Sequence, residues 1–242
     1  MSPGNEAILE AQALSKHFGG TAALKEVSFS AAAGEILGLI GPNGAGKTTL
    51  LNLLSGVLRP TSGKVLFRGR DLTGLKTHAV ARMGIARTLQ TPRSFPSMTV
   101  LENVAVGALF GHPHGRTDGA IKSLDLVGLG ERRASPMSSL NLQERKMVEL
   151  ARALAMEPRV VLIDEAMSGL NPTEIEDSMR LIRRVRSQTG VTIIWVEHVV
   201  KAIMEVVERI IVLNFGQVIA TGSPAEIARN DAVVEAYLGT KA

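Results

Sequence analysis

Gly41, Pro42, Asn43, Gly44, Ala45, Gly46, Lys47, Thr48 and Thr49 put three glycines, an ammonium group and two hydroxyls into one short run. The run fits the pattern G-x-x-x-x-G-K-[ST], whose chemistry is the capture of phosphate. Glycines permit backbone angles and close approaches that a side chain forbids, so successive N–H groups can point at anionic oxygens. Lys47 would reach the outer phosphates and the Thr48 hydroxyl would ligate Mg²⁺. The pattern carries weight only between a strand and a helix. Residues 35–40 read as a short buried strand, and Leu50, Leu51, Leu53 and Leu54 recur at helical spacing behind the loop.

Four further polar groups stand at the ends of apolar runs: Gln90, Asp164, Glu165 and His198. In a doubly wound parallel sheet the C-terminal strand ends line one crevice, which would gather these residues around the phosphate loop. Taken singly, Gln90 could be a turn residue, Glu165 a helix-end charge and His198 a satisfied histidine. Their joint occurrence downstream of a complete phosphate loop points to a site.

The elements that would position them can be read in order. Residues 8–14, 27–30 and 65–68 read as strands of a small antiparallel layer, with a turn at Phe18, Gly19 and Gly20. A short helix is expected over 77–83 and a buried strand over 85–89. From Thr91 onward prolines punctuate loops, and 100–109, 121–127 and 145–154 have helical spacing, so residues 91–156 read as a mostly helical insertion. Val160–Asp164 is a continuous apolar strand ending in carboxylates; 191–197, 210–213 and 218–220 are further strands. Asn171 is placed to cap a helix over 172–187, with Pro172 at its first position, and 224–238 holds two short helices. His112 and His114 flank a proline within a glycine-bounded turn, and with no further ligands nearby they read as a polar surface loop.

Composition narrows the alternatives. The chain has 242 residues and no cysteine, which removes disulfides, thiolate metal sites and a cysteine nucleophile. Its net charge is +4 with scattered basic residues, and aromatics are 3%, too few for base-stacking platforms, so no nucleic-acid partner is expected. No apolar run reaches the roughly 18 to 20 residues of a membrane span, and no leader is recognisable at the N-terminus. A soluble, cytoplasmic protein is expected.

In combination these motifs resemble the nucleotide-binding subunits of ABC transporters, and the likeness runs nearly end to end. Residues 41–48 match the Walker A loop, Val160–Asp164 matches Walker B, Gln90 the Q-loop and His198 the H-loop, and Ser168, Gly169, Leu170 and Asn171 match the D-loop. The resemblance implies an α/β fold: a P-loop NTPase (RecA-like) core formed by 1–90 and 157–242, with a small antiparallel β-subdomain and a helical subdomain inserted at 91–156, all within one domain. It implies ATP and Mg²⁺ as ligands. Gly41, Pro42, Asn43, Gly44, Ala45, Gly46, Lys47, Thr48 and Thr49 would bind ATP, Phe18 would stack on adenine, and Thr48, Gln90 and Asp164 would hold the metal. Glu165 would polarise the attacking water and His198 would orient the γ-phosphate.

One segment departs from the family pattern. The signature, usually L-S-x-G-Q, falls at Leu140, Asn141, Leu142, Gln143 and Glu144. In the family it clamps the ATP of a dimer partner. Asn141 can still cap the following helix, Gln143 adds bulk where close approach is wanted, and Glu144 brings negative charge unless it points away.

Several stretches, among them 84–90, 98–104 and the C-terminal tail, are similar to the ATPases of branched-chain amino acid importers. That resemblance implies ATP hydrolysis on the cytoplasmic face of the membrane, coupled to solute import. The implied partners are transmembrane permease subunits, a second ATP-binding subunit in a heterodimer or homodimer and, indirectly, a periplasmic solute-binding protein. Phe95 and Met98 would either face a permease helix or sit in the insertion's own core. The alternative function is a regulatory or non-transport ABC ATPase with weak hydrolysis, which the altered signature keeps open.

Overall fold

The computed structural model describes residues 7–111 and 117–238, so the turn with His112 and His114 lies outside the described residues. The first half of the chain runs β1 (Ala7–Phe18), β2 (Thr21–Ala32), β3 (Ile36–Ile40), α1 (Lys47–Leu54), β4 (Ser62–Phe67), β5 (Arg70–Asp71), α2 (Thr77–Arg82) and β6 (Ile85–Arg87). Then come α3 (Val100–Gly111), α4 (Thr117–Val127), α5 (Leu142–Leu154) and β7 (Val160–Asp164). The remainder is α6 (Pro172–Thr189), β8 (Thr192–Val196), α7 (Val200–Val206), β9 (Arg209–Asn214), β10 (Gln217–Gly222), α8 (Pro224–Ala228) and α9 (Asp231–Leu238).

Two sheets result. One is antiparallel, in the order β2-β1-β4-β5. The other has the order β10-β9-β3-β8-β7-β6, parallel from β9 to β6 with β10 antiparallel at its edge. Every residue of β3, β7 and β8 is buried, because such strands are covered on both faces and read as unbroken apolar runs. Alternation decides which side each residue serves. Ile40, Ile163 and Trp195 face the core shared with α3 to α7, while Leu39, Leu162 and Val196 face the core shared with α1 and the antiparallel sheet.

The expected α/β fold with its antiparallel layer is present. β1 and β2 are longer than 8–14 and 27–30, and register shifts along their ladder absorb the polar residues that break the alternation. α5 starts at Leu142 rather than 145 because Asn141 and Glu144 form a capping box there. Among the described residues between β6 and β7, helices α3, α4 and α5 predominate, preceded by a non-helical stretch over 88–99. In this region Asn103 is fully buried, and its side chain accepts from the Phe95 N–H at 2.8 Å and donates to the Phe95 carbonyl at 3.1 Å. That grip turns the Phe95 backbone inward and its ring outward: Phe95 is 44% exposed, so the reading that places it in the insertion's core fails, and Met98 is half-buried. Among the described residues, no helix is long and apolar enough to cross a membrane.

Candidate active site

β3 delivers the chain into the loop at Gly41, whose φ is 154° and where a Cβ would stand 2.1 Å from the Leu213 carbonyl oxygen. At Gly46, with φ 105°, a Cβ would meet Leu24 at 2.7 Å and the Ala23 oxygen at 2.8 Å. Both positions therefore require glycine. Gly46 is also the N-cap of α1, where no side chain caps the helix. The first-turn N–H groups and the positive end of the helix dipole are left for an anion.

Lys47 is buried, and its ammonium donates to the carbonyls of Gly41 at 2.6 Å and Pro42 at 2.9 Å. Burial pulls its pKa below the usual lysine value, and the carboxylates of Glu165 and Asp164 act in the opposite direction. The loop, from Asn43 through Thr49, lines a cleft of about 410 Å³ together with Ala23, Gln90, Glu165 and His198. Residues from 41 to 198 thus meet around one lysine.

Glu165 follows the last residue of β7. It is buried, has a left-handed backbone at φ 49°, and donates its N–H to the Val196 carbonyl at 2.9 Å. A non-glycine residue in that region is strained by about 1 kcal/mol or more, and such residues cluster at working sites. The conformation sets the carboxylate between two partners: Gln90 Nε2 donates to Oε2 at 2.5 Å, and His198 Nε2 lies 2.5 Å from Oε1.

Asp164 presents its two oxygens to different surroundings. Oδ2 accepts from Arg87 at 2.9 Å, whereas Oδ1 is buried with no hydrogen-bond partner among the described residues. An orphaned buried carboxylate oxygen calls for a partner, and a cation or its water would satisfy it. Phe18 stands at the end of β1, half exposed, with the Lys16 ammonium 5.2 Å from its ring centre, and does not line the cleft.

A layer of charged residues behind the cleft was not singled out from sequence. Glu197 is buried and accepts the Met167 N–H at 2.7 Å, the Trp195 indole N–H at 3.3 Å and the His198 N–H at 3.3 Å; burial pushes its pKa up. Lys146, on α5, donates to the carbonyls of Ser168 at 2.7 Å and Glu165 at 3.2 Å. The one sequence cue was a charge among buried positions, as with Arg87 at the end of β6 and Glu149 within the apolar run of α5.

The Leu140 to Glu144 segment does not line this cleft. Asn141 Oδ1 accepts the Glu144 N–H at 2.8 Å, Glu144 Oε2 accepts the Asn141 N–H at 2.9 Å, and Glu144 Oε1 lies 3.4 Å from Arg132. Its carboxylate is turned back onto its own helix end.

The family model for ABC transporters matches residues 24–168. This chain is an ABC transporter ATPase. A second model, for branched-chain amino acid ATP-binding cassette transporters, matches residues 217–242 of the ATPase. It is 36% identical, over 97% of its length and 99% of the relative's, to the high-affinity branched-chain amino acid transport ATP-binding protein LivG of Escherichia coli (strain K12). It is also 37% identical to the lipopolysaccharide export system ATP-binding protein LptB of Acidithiobacillus ferridurans, over 96% of this chain and 97% of that one. Among solved structures, the ADP conformation of an ATP-binding cassette from an ABC transporter superposes with a TM-score of 0.88 at 30% identity, covering 97% of this chain and 100% of that chain.

Proposed function

We propose that this ATPase binds ATP with Mg²⁺ in the cleft above Lys47 and that Glu165 activates the water that attacks the γ-phosphorus. The observation that carries the reading is the convergence of Gln90 and His198 on the two oxygens of one buried carboxylate beside the glycine loop. Lys47 would exchange its bonds to the Gly41 and Pro42 carbonyls for phosphate oxygens, and the loop N–H groups with the open end of α1 would take the remainder of the charge.

The residues fit a divalent cation: Thr48 and Gln90 line the cleft, and Asp164 has an unpartnered Oδ1 while Arg87 restrains its other oxygen. When bound, Mg²⁺ supplies neutralisation of phosphate charge. Glu165 accepts the proton of the water, Gln90 holds the carboxylate in place, and His198 fixes the carboxylate's second oxygen and orients the γ-phosphate. Phe18, half exposed at the end of β1 and outside the cleft lining, would offer its ring to adenine. The experiment is Glu165→Gln with ATP affinity and turnover measured together. Affinity is expected to stay within about threefold while turnover drops on the order of a hundredfold or more, and the ATP-bound form accumulates as a dimer. Turnover near that of the unaltered chain would reject the assignment.

The transport reading is import of branched-chain or related amino acids, supported by the relatives' names and by the C-terminal family match at 217–242. The ATPase would sit on the cytoplasmic face of the membrane against transmembrane permease subunits, paired with a second ATP-binding subunit and served indirectly by a periplasmic binding protein. Exposed apolar side chains at the end of α3 support this reading. Leu109 is 64% and Phe110 61% exposed, and Phe110 borders a groove of about 470 Å³ with Ala81, Val106 and Met156.

The self-capped end of α5 supports unequal ATP sites in a heterodimer. Asn141 and Glu144 occupy each other's backbone N–H groups, so the site that relies on this segment would be the weaker. Separate Glu-to-Gln changes in the two subunits test the asymmetry: unequal losses of turnover are expected, and equal losses would overturn it.

A further inference from the structure

Glu149 lies on α5 and is only 5% exposed, and its Oε1 accepts the backbone N–H of Leu89 at 2.9 Å. Leu89 is the residue before Gln90. The last ladder bond of the preceding strand is donated by Thr88 to the Leu162 carbonyl at 2.9 Å. The next N–H goes to Glu149 instead of to β7, so a side chain continues what the sheet has stopped doing. On the far side of Gln90, Arg152 donates to the Arg93 carbonyl at 2.7 Å and lies 3.6 Å from Glu149 Oε1. α5 thus grips the loop both before and after the glutamine.

This arrangement is costly in stability. Burial raises the Glu149 pKa to about 7, against the pull of the Leu89 N–H, Arg152 and Lys146, and an apolar residue in such a place is commonly neutral or stabilising. Beside it lies a cavity of about 40 Å³ bordered by Leu89, Lys146, Glu149 and Trp195, which leaves the Leu89 backbone room to shift if the bond is absent. Gln90 itself is exposed on a loop and meets Glu165 through a long side chain. Its reach is set by its backbone, and a displacement on the order of 1 Å is enough to impair such a contact.

We infer that Glu149 is a positioning residue for hydrolysis: its carboxylate fixes the Leu89 N–H and thereby the approach of Gln90 to Glu165. The inference rests on the proposed role of Glu165. What the reaction needs from Glu149 is an acceptor oxygen at that point, which glutamine also supplies.

The test measures turnover, ATP affinity and melting temperature for Glu149→Leu and Glu149→Gln. Net loss of one such hydrogen bond corresponds to about fivefold to tenfold. Glu149→Leu is expected to lose about tenfold in kcat with ATP affinity within about twofold, while Glu149→Gln keeps kcat within about twofold. In a Gln90→Ala background Glu149→Leu should add less than about twofold, since both changes remove the same contact. If Glu149→Leu does not fold, Leu89→Pro removes the donor without touching α5 and is expected to give the same loss. Unchanged kcat in Glu149→Leu or Leu89→Pro, a loss in Glu149→Gln as large as in Glu149→Leu, or full additivity with Gln90→Ala would each overturn the inference. A parallel Glu165→Gln control separates the two claims, because retained turnover there would sink the reading of the site itself.

Discussion

Two helices of this ATPase begin in opposite ways. α1 opens from Gly46 with no side-chain cap and faces a cleft lined by Lys47, Glu165 and His198. α5 opens from Asn141, and the N–H groups of Asn141 and Glu144 are taken by each other's side chains in a reciprocal capping box, with Arg132 beside the glutamate. A free helix end attracts an anion, and a capped one stabilises its own helix. The two caps also differ in backbone, Gly46 being left-handed at φ 105° and Asn141 extended at φ -73° and ψ 178°. The sequence difference behind it is small: glycine at one cap, asparagine with a glutamate three residues on at the other.

The sharpest way to break that contrast is at the loop. Gly41→Ala would put a Cβ 2.1 Å from a backbone oxygen at φ 154°. A loss of stability of about 3 kcal/mol or more and loss of ATP binding are expected, read by thermal melting and nucleotide titration. Wild-type melting would show that the loop relaxes freely.

A smaller effect belongs to the body of α5. Glu149 is raised from its ordinary 4.5 to about 7 by burial, so the folded protein binds a proton that the unfolded chain releases. Stability is therefore greatest below pH 4.5 as far as this group is concerned, and it falls as pH rises through that window to about 7. Glu149→Gln removes the loss, and relative to the unaltered chain it should gain on the order of 2 kcal/mol at pH 8 but not at pH 4.5. Parallel pH dependences of melting for the two proteins would contradict this.

Smallest is the cap itself. Asn141→Ala should cost about 1 kcal/mol of stability by denaturant unfolding. ATP affinity of the isolated chain should not change, because the segment lies outside its own cleft.

Legibility in the sequence followed distance along the chain. The loop, the cap at Asn171 and the strand-end residues Asp164, Glu165 and His198 are announced by local pattern, and Asn171 does form a capping box with Glu174. Their meeting could be anticipated because parallel strands bring C-terminal ends to one edge. The contacts of Arg87 with Asp164, Glu149 with Leu89 and Lys146 with Ser168 join residues far apart. No spacing rule announces such pairs. α7 is only seven residues long and starts in the β-branched pair Val199 and Val200, and β5 is only two residues long, so neither carries a readable period. The orientation of Glu144, left open by charge alone, is decided by the N–H it accepts and by Arg132.

The most direct measurement compares the two helix ends in one experiment: Mg-ATP titration of the isolated chain carrying either Lys47→Ala or the pair Asn141→Ala and Glu144→Ala. The account predicts about a hundredfold loss of affinity for the first, consistent with two or more charge-assisted bonds, and a change within about twofold for the second. Equal losses, or a larger loss for the pair, would contradict it.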